Sequence, residues 1–130
     1  MGWTSPKTWL AAVLTVIDMN TEIRDNFLFL KENIALEASA ELTIAAGVVT
    51  KTKSFHTIDT ESDAASDDLD TINGGGEGEI LIIKANHTDR TIVVKNNVGN
   101  IQIRAGADIS LDSTEKALSL IYDGTNWLDL

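Results

Sequence analysis

Residues 8–30 read TWLAAVLTVIDMNTEIRDNFLFL, and the change of pattern that follows this stretch sets the fold class. Thr15 is the best N-cap, because Asp18 three residues later can close a capping box and adds negative charge at the positive end of the helix dipole. A helix is therefore expected from about Val16 to Leu36. Along it Val16, Asn20, Ile23, Phe27, Leu30 and Ile34 follow one another at spacings of 4, 3, 4, 3 and 4, the a/d seam of a coiled coil. Asn20 lies on that seam, where a buried amide fixes register at some cost in stability. The stripe can pack on the rest of its own chain, as most amphipathic helices do, or on copies of itself. The 3.5-residue period and the lack of a second helix to pair with favour self-association. Fewer than three heptads is short for a coiled coil alone, so the rest of the chain must help hold an oligomer together.

Upstream of the seam, Trp3 and Trp9 flank Pro6 in a segment with no regular period, and Leu10 follows directly. Two tryptophans on an extended arm offer large apolar surfaces that dock on something. Either they fold back on the chain or, as aromatic anchors on arms commonly do, they insert into a partner. Leu10 to Ile17 is apolar but runs into Asp18 and Asn20 without a small-residue cleavage site, which argues against a signal peptide. The run is also far shorter than the roughly twenty apolar residues of a membrane span.

Downstream, after the Ala- and Glu-rich segment ALEASAE, the material changes to short runs of alternating apolar residues separated by Gly, Asn and Asp. Strands are expected in Leu42 to Thr50 with a break at Gly47, in Ser54 to Ile58, in Ile80 to Lys84, and in Thr91 to Lys95. Ile80 to Lys84 is apolar on both faces and reads as a central strand covered on both sides. Ile101 and Ile103, then Ile109 and Leu111, alternate with polar residues as half-buried strands do. Leu118, Leu120 and Tyr122 point one way, Asp123-Gly124 makes a hairpin turn, and Asn126 to Leu130 returns with Trp127 as its anchor. The fold class is thus mainly β with an N-terminal α-helix: residues 1–41 form an arm and a short coiled-coil-like helix, and residues 42–130 a β-sandwich or barrel-like knob.

Twenty acids against ten bases give a formal net charge of −10, and the bases are scattered singly. Nucleic acid, which demands clustered Lys and Arg, and anionic membranes are therefore not expected as partners. Without cysteine there is neither a disulfide framework nor a thiolate metal site. The run DTESDAASDDLD, Asp59 to Asp70, places Asp59, Glu61, Asp63, Asp67 and Asp70 at the liganding places of a calcium loop, but Ala64 stands where that loop needs glycine. No helices flank it, so a solvated acidic loop is the expectation and no metal or other cofactor is assigned. GGGEGE, Gly74 to Glu79, lacks the Lys-Ser/Thr ending of a phosphate loop and reads as a turn. His56 and His87 have no companion histidine at ligand spacing. No nucleophile motif or other catalytic constellation is present, and the chain is not expected to be an enzyme.

The segment from Trp9, through Leu14, Thr15, Asn20, Ile23, Arg24, Asp25 and Asn26 to Leu30, resembles the N-terminal motif of many tailed-bacteriophage fibre and appendage proteins, with Ala12 where they often carry glycine. TIDTESDAASDDLDTINGGGEGEILIIKA, TIVVKNNVGNIQI and the closing LIYDGTNWLDL are similar to β modules at the ends of phage fibres and on virion decorations. The resemblance implies a noncatalytic virion structural protein, a homotrimer that is a short head fibre or decoration protein. Its partners would be itself and phage capsid, connector or tail proteins, and its location the virion. Trp3, Trp9 and Leu10 would dock on the particle, and Asn20, Ile23, Phe27, Leu30 and Ile34 would trimerise. The rivals are a tail fibre or receptor-binding protein whose loops Asp59 to Asp70 or Asn96 to Asn100 touch a host surface glycan or protein, and a depolymerase using paired acids.

Overall fold

A computed structural model describes residues 24–27 and 40–130. The chain divides into two compact units, Met1–Ala35 and Leu36–Leu130. In the first, residues 24–27 are helical, as the seam requires, and Phe27 is 67% exposed. Trp3, Trp9, Leu10, Asn20, Ile23, Leu30 and Ile34 lie outside the described residues.

The second unit is built from eleven short strands: β1 Leu42–Thr43, β2 Val48–Thr50, β3 Phe55–Asp59, β4 Ser66–Leu69, β5 Thr71–Asn73, β6 Ile80–Ala85, β7 Thr91–Val94, β8 Ile101–Gln102, β9 Ile109–Leu111, β10 Ala117–Tyr122 and β11 Trp127–Asp129. They form a six-stranded sheet in the order β1-β3-β6-β10-β11-β8, a three-stranded sheet β4-β7-β9 and a two-stranded sheet β2-β5. Val, Ile and Thr dominate the strands because branched side chains suit a pleated, half-buried surface.

The pairing differs from the expected sandwich or barrel-like knob. Each turn of chain lays its strands parallel on those of the turn before: β3 on β1, β6 on β3, β5 on β2 and β7 on β4. This is β-solenoid-like stacking, in which neighbours in space are distant in sequence. The exception is the end. β9 runs antiparallel to β7, and β10 antiparallel to β6, so the last turn reverses and covers edges that a further parallel turn would otherwise need. β10 and β11 then form the expected hairpin, with Tyr122 opposite Trp127. Its turn is fixed by Asp123, whose Oδ1 accepts the N–H groups of Thr125 (2.8 Å) and Asn126 (2.6 Å).

One core serves all three sheets. Ile44, Val49 and Ile72 meet Leu69, Ile92, Val94 and Leu111 from the second wall, and Ile58, Leu81, Ile83, Leu120 and Trp127 from the third. The fully buried Trp127 ring tilts against Tyr122 at 5.0 Å, and its Nε1–H donates to the Ile72 carbonyl at 3.0 Å. Beside it the Asn100 side chain acts as a piece of strand. Its Oδ1 accepts the Ile72 N–H (2.9 Å) and its amide donates to the Ile72 carbonyl (2.8 Å), closing the β5 edge.

β6 is central, as its apolar run predicts, but only one side is covered by the core. Leu81, Ile83 and Ala85 point inward and are buried, while Ile80, Ile82 and Lys84 face outward and Ile80 is 50% exposed. The expectation of cover on both sides therefore fails among the described residues.

Candidate functional site

Charged side chains from four separate segments converge at the C-terminal end of β3. Asp59 ends that strand, Glu41 precedes β1, His87 and Arg90 lie in the turn between β6 and β7, and Asp63 sits in a 3₁₀ turn, Glu61–Asp63. The Asp59 carboxylate is almost wholly buried. Its Oδ2 accepts from Arg90 Nη1 at 2.6 Å and lies 3.6 Å from Nε2 of His87, while its Oδ1 accepts the Thr60 N–H at 2.8 Å. Arg90 Nη1 also reaches Asp63 Oδ1 at 2.8 Å. The Asn86 side-chain amide donates to Glu41 and lies 3.2 Å from Nε2 of His87. Burial alone would push the Asp59 carboxyl up, but the Arg90 hydrogen bond, the Thr60 N–H and the charges of Arg90 and His87 together hold it below the usual range.

Glu41, Asp59 and His87 bring one ligand atom each within 4.8 Å of one another, the spacing of a cation site. The Asp59 oxygen facing that point is already held by a guanidinium, and Glu41 by an amide. A cation would have to displace Arg90 and tolerate its charge nearby, so the donor set fits a metal poorly. The chemistry it does fit is mechanical: an ion-paired clasp that ties β1, β3, the 3₁₀ turn and the β6–β7 turn together.

The carboxylates of Asp59, Glu61, Asp63 and Asp67 in the acidic run already have partners within the fold. Asp59 and Asp63 share Arg90, Asp67 Oδ2 accepts the Glu61 N–H at 2.8 Å, Asp67 Oδ1 accepts the Asp68 N–H at 2.9 Å, and Glu61 accepts the Ala46 N–H at 3.2 Å. Glu61 and Asp67 thus cap backbone donors, while Asp59 and Asp63 converge on one guanidinium. The second half of the run is not a loop at all, because Ser66–Leu69 is β4 and Leu69 is fully buried.

His56 lies inside the fold. Its Nε2 accepts two backbone N–H groups, from Thr52 and Lys53, each at 3.0 Å, and Nδ1 faces the Ala40 carbonyl at 3.2 Å. Only a neutral ring with its proton on Nδ1 satisfies all three contacts. Burial lowers its pKa and the Lys51 and Lys53 charges lower it further, against the pull of the Ala40 carbonyl. His56 thereby fastens the start of the head to the bend before β3.

A second ion pair lies beside Trp127. Lys51 Nζ meets Glu79 Oε2 at 2.6 Å and stands 5.9 Å from the Trp127 ring centroid, and the Gly76 N–H donates to the same Glu79 oxygen at 3.0 Å. GGGEGE is the turn the sequence predicts, with a constraint that composition does not reveal. A Cβ on Gly75 would sit 2.8 Å from both the Trp127 and Tyr122 rings.

The two ends of the loop Asn96 to Asn100 turn inward, while its middle, Asn97 to Gly99, is exposed. Asn96 Oδ1 accepts the Ile103 N–H at 2.8 Å and Asn100 is committed to β5, leaving Val98 exposed at the tip. Beside it a shallow groove of about 320 Å³ is lined by Asn97, Gln102, Ile103, Arg104, Leu128 and Asp129. Its single carboxylate, Asp129, accepts the Arg104 N–H at 2.6 Å, which does not make the paired acids of a glycosidase.

Sequence reasoning missed the partners Glu41, Arg90 and Glu79, each joined to a residue far along the chain. No local spacing signals such pairs. The chain matches no known protein family and no curated protein sequence.

Proposed function

We propose that this chain is a noncatalytic phage virion structural protein, a homotrimeric short fibre or decoration protein that docks on the particle through its N-terminal arm and projects a β head. One observation carries most of the weight: both units leave large apolar side chains uncovered in the single chain. Phe27 on the helical seam is 67% exposed, and Ile80 and Leu130 on the head are 50% and 63% exposed. Association of copies would cover such side chains. The charged clusters are consistent with a structural role, because their donors and acceptors are spent on holding turns together. The phage assignment itself rests on the resemblance of residues 9–30 and of the β segments.

Trp3, Trp9 and Leu10 are the docking residues in this reading. Deleting Met1 to Thr15 is expected to leave a folded head that no longer co-purifies with virions. A truncated chain that still travels with particles overturns the docking role. A receptor-binding tail fibre is the alternative, favoured by the exposed Val98 at the tip of Asn96 to Asn100. It requires that antibodies to the head reduce adsorption to the host.

A further inference from the structure

We infer that His56 is an acid-released latch: a second proton on its ring frees residues 40–43 and 52–53 from the edge of the head, while the sheets behind them stay folded. The ring substitutes for a missing stretch of strand. In the parallel register of β1 on β3, Leu42 lies opposite Ile58, so Ala40 comes level with His56. β1 begins only at Leu42, and at Ala40 the ring takes over, with the Ala40 carbonyl facing Nδ1 at 3.2 Å. From the other side Nε2 accepts the N–H groups of Thr52 and Lys53, each at 3.0 Å. One fully buried ring thus joins the entry segment to the bend before β3. Only the neutral ring can do so. A proton on Nε2 turns that acceptor into a donor aimed at two other donors, and both N–H groups lose their partner. The charged ring must then reach water, which takes it away from Ala40 as well.

The surroundings leave it that way out. Burial is the main force against charging the ring, the Lys51 and Lys53 charges add to it, and the Ala40 carbonyl opposes them. Of the nearby carboxylates, Glu79 is spent on Lys51, Glu41 is held by the Asn86 side chain, and Asp59, three residues along β3, lies under Arg90. Lys84 of β6 stands opposite Thr57 on the outer face. His87 lies 3.6 Å from Asp59, whose carboxylate balances any charge that His87 gains. The segments that would open are lightly held. β1 is two residues long at the edge of the six-stranded sheet, Leu42 is the one partly buried apolar side chain of residues 40–43, and Thr52 is exposed. Fully buried Ile44 stops the opening on one side, and the bond from the Ile82 N–H to the Ser54 carbonyl (2.8 Å) stops it on the other. Edge segments with so few buried contacts open well below the cost of global unfolding. Release uncovers the edge of β3 that β1 otherwise covers.

Hydrogen exchange of the full wild-type chain tests this, followed by mass spectrometry from about pH 7 to about pH 4.5 and corrected for intrinsic exchange rates. In the open segment His56 regains its ordinary pKa of 6.5, so each pH unit below that is expected to raise the opening of residues 40–43 and 52–53 by roughly tenfold until the folded ring titrates. Strands β6 and β10 are expected to stay protected. In His56→Gln, whose amide oxygen accepts the same N–H groups at any pH, the rise is expected to vanish, and in His87→Gln it is expected to persist. The latch is overturned if the two segments open no more at low pH, if they open only together with β6 and β10, if His56→Gln keeps the rise, or if His87→Gln loses it. Should His56→Gln unfold, nuclear magnetic resonance of the wild type decides. The Thr52 and Lys53 amide signals are expected to move with the midpoint of the His56 ring, and a ring that titrates without moving them overturns the latch.

Discussion

At the scale of single residues, the head is held by side chains that replace backbone partners. His56 accepts two N–H groups that have no strand to pair with, Asn100 completes the β5 edge, and Asp123 caps a turn. The His56 arrangement makes stability depend on pH with a defined sign. Its pKa in the fold is lower than the ordinary 6.5, so the unfolded chain binds the proton more readily. The stabilisation is complete above about pH 6.5 and is lost progressively as pH falls from there through the folded pKa. The depressed carboxylates Asp59, Glu79 and Asp108 act in a lower window, losing their contribution as pH falls through their own folded values, below the ordinary Asp and Glu range. Urea midpoints are therefore expected to drop between pH 7 and pH 5 in the wild type. In His56→Gln, whose Oε1 can accept the same N–H groups without titrating, that drop is expected to flatten. An unchanged slope in the variant rules His56 out as its source. None of this was readable from the sequence, where His56 is an isolated histidine inside an alternating run.

At the scale of elements, most strands were legible but not β4 and β5, which fall at and just after the expected acidic loop, and the pairing partners were not legible at all. Period-2 alternation located β2, β3, β6, β7 and β10 to within a residue or two, and Asp123-Gly124 announced the one hairpin. Parallel stacking left no comparable mark, because pairing across a solenoid turn depends on chain returning from far away. GGGEGE shows the same division. Its role as a turn follows from composition, yet Gly75 is required because Trp127 and Tyr122 arrive from the last hairpin to lie against it. Gly75→Ala should force the two rings apart and destabilise the head by about 1–3 kcal/mol, the usual cost of overpacking. Urea unfolding followed by circular dichroism measures it, and a loss below about 0.5 kcal/mol, the scatter of a neutral surface change, would show that the rings yield freely.

At the scale of the whole molecule, net charge and apolar surface oppose each other. If copies associate as proposed, their acids repel across the assembly, and added salt relieves that repulsion. Raising salt from about 0.1 M to about 1 M shortens the screening length from about 10 Å to about 3 Å and is expected to strengthen association, as sedimentation equilibrium would record. Weakening by salt would instead indicate an interface held by ion pairs. The sequence by itself determined that the chain is mainly β after residue 40, where most of its turns and its closing hairpin fall, and that its net charge disfavours nucleic acid. These are local or summed properties, set by side-chain period, backbone preference and composition. Only the tertiary structure decided that the strands stack as a solenoid-like body with a reversed last turn, that Asp59 is neutralised by Arg90, and that β6 keeps an open apolar side. Each of those depends on which distant segments meet, and the burial of one shared core fixes that without a signature in any single stretch.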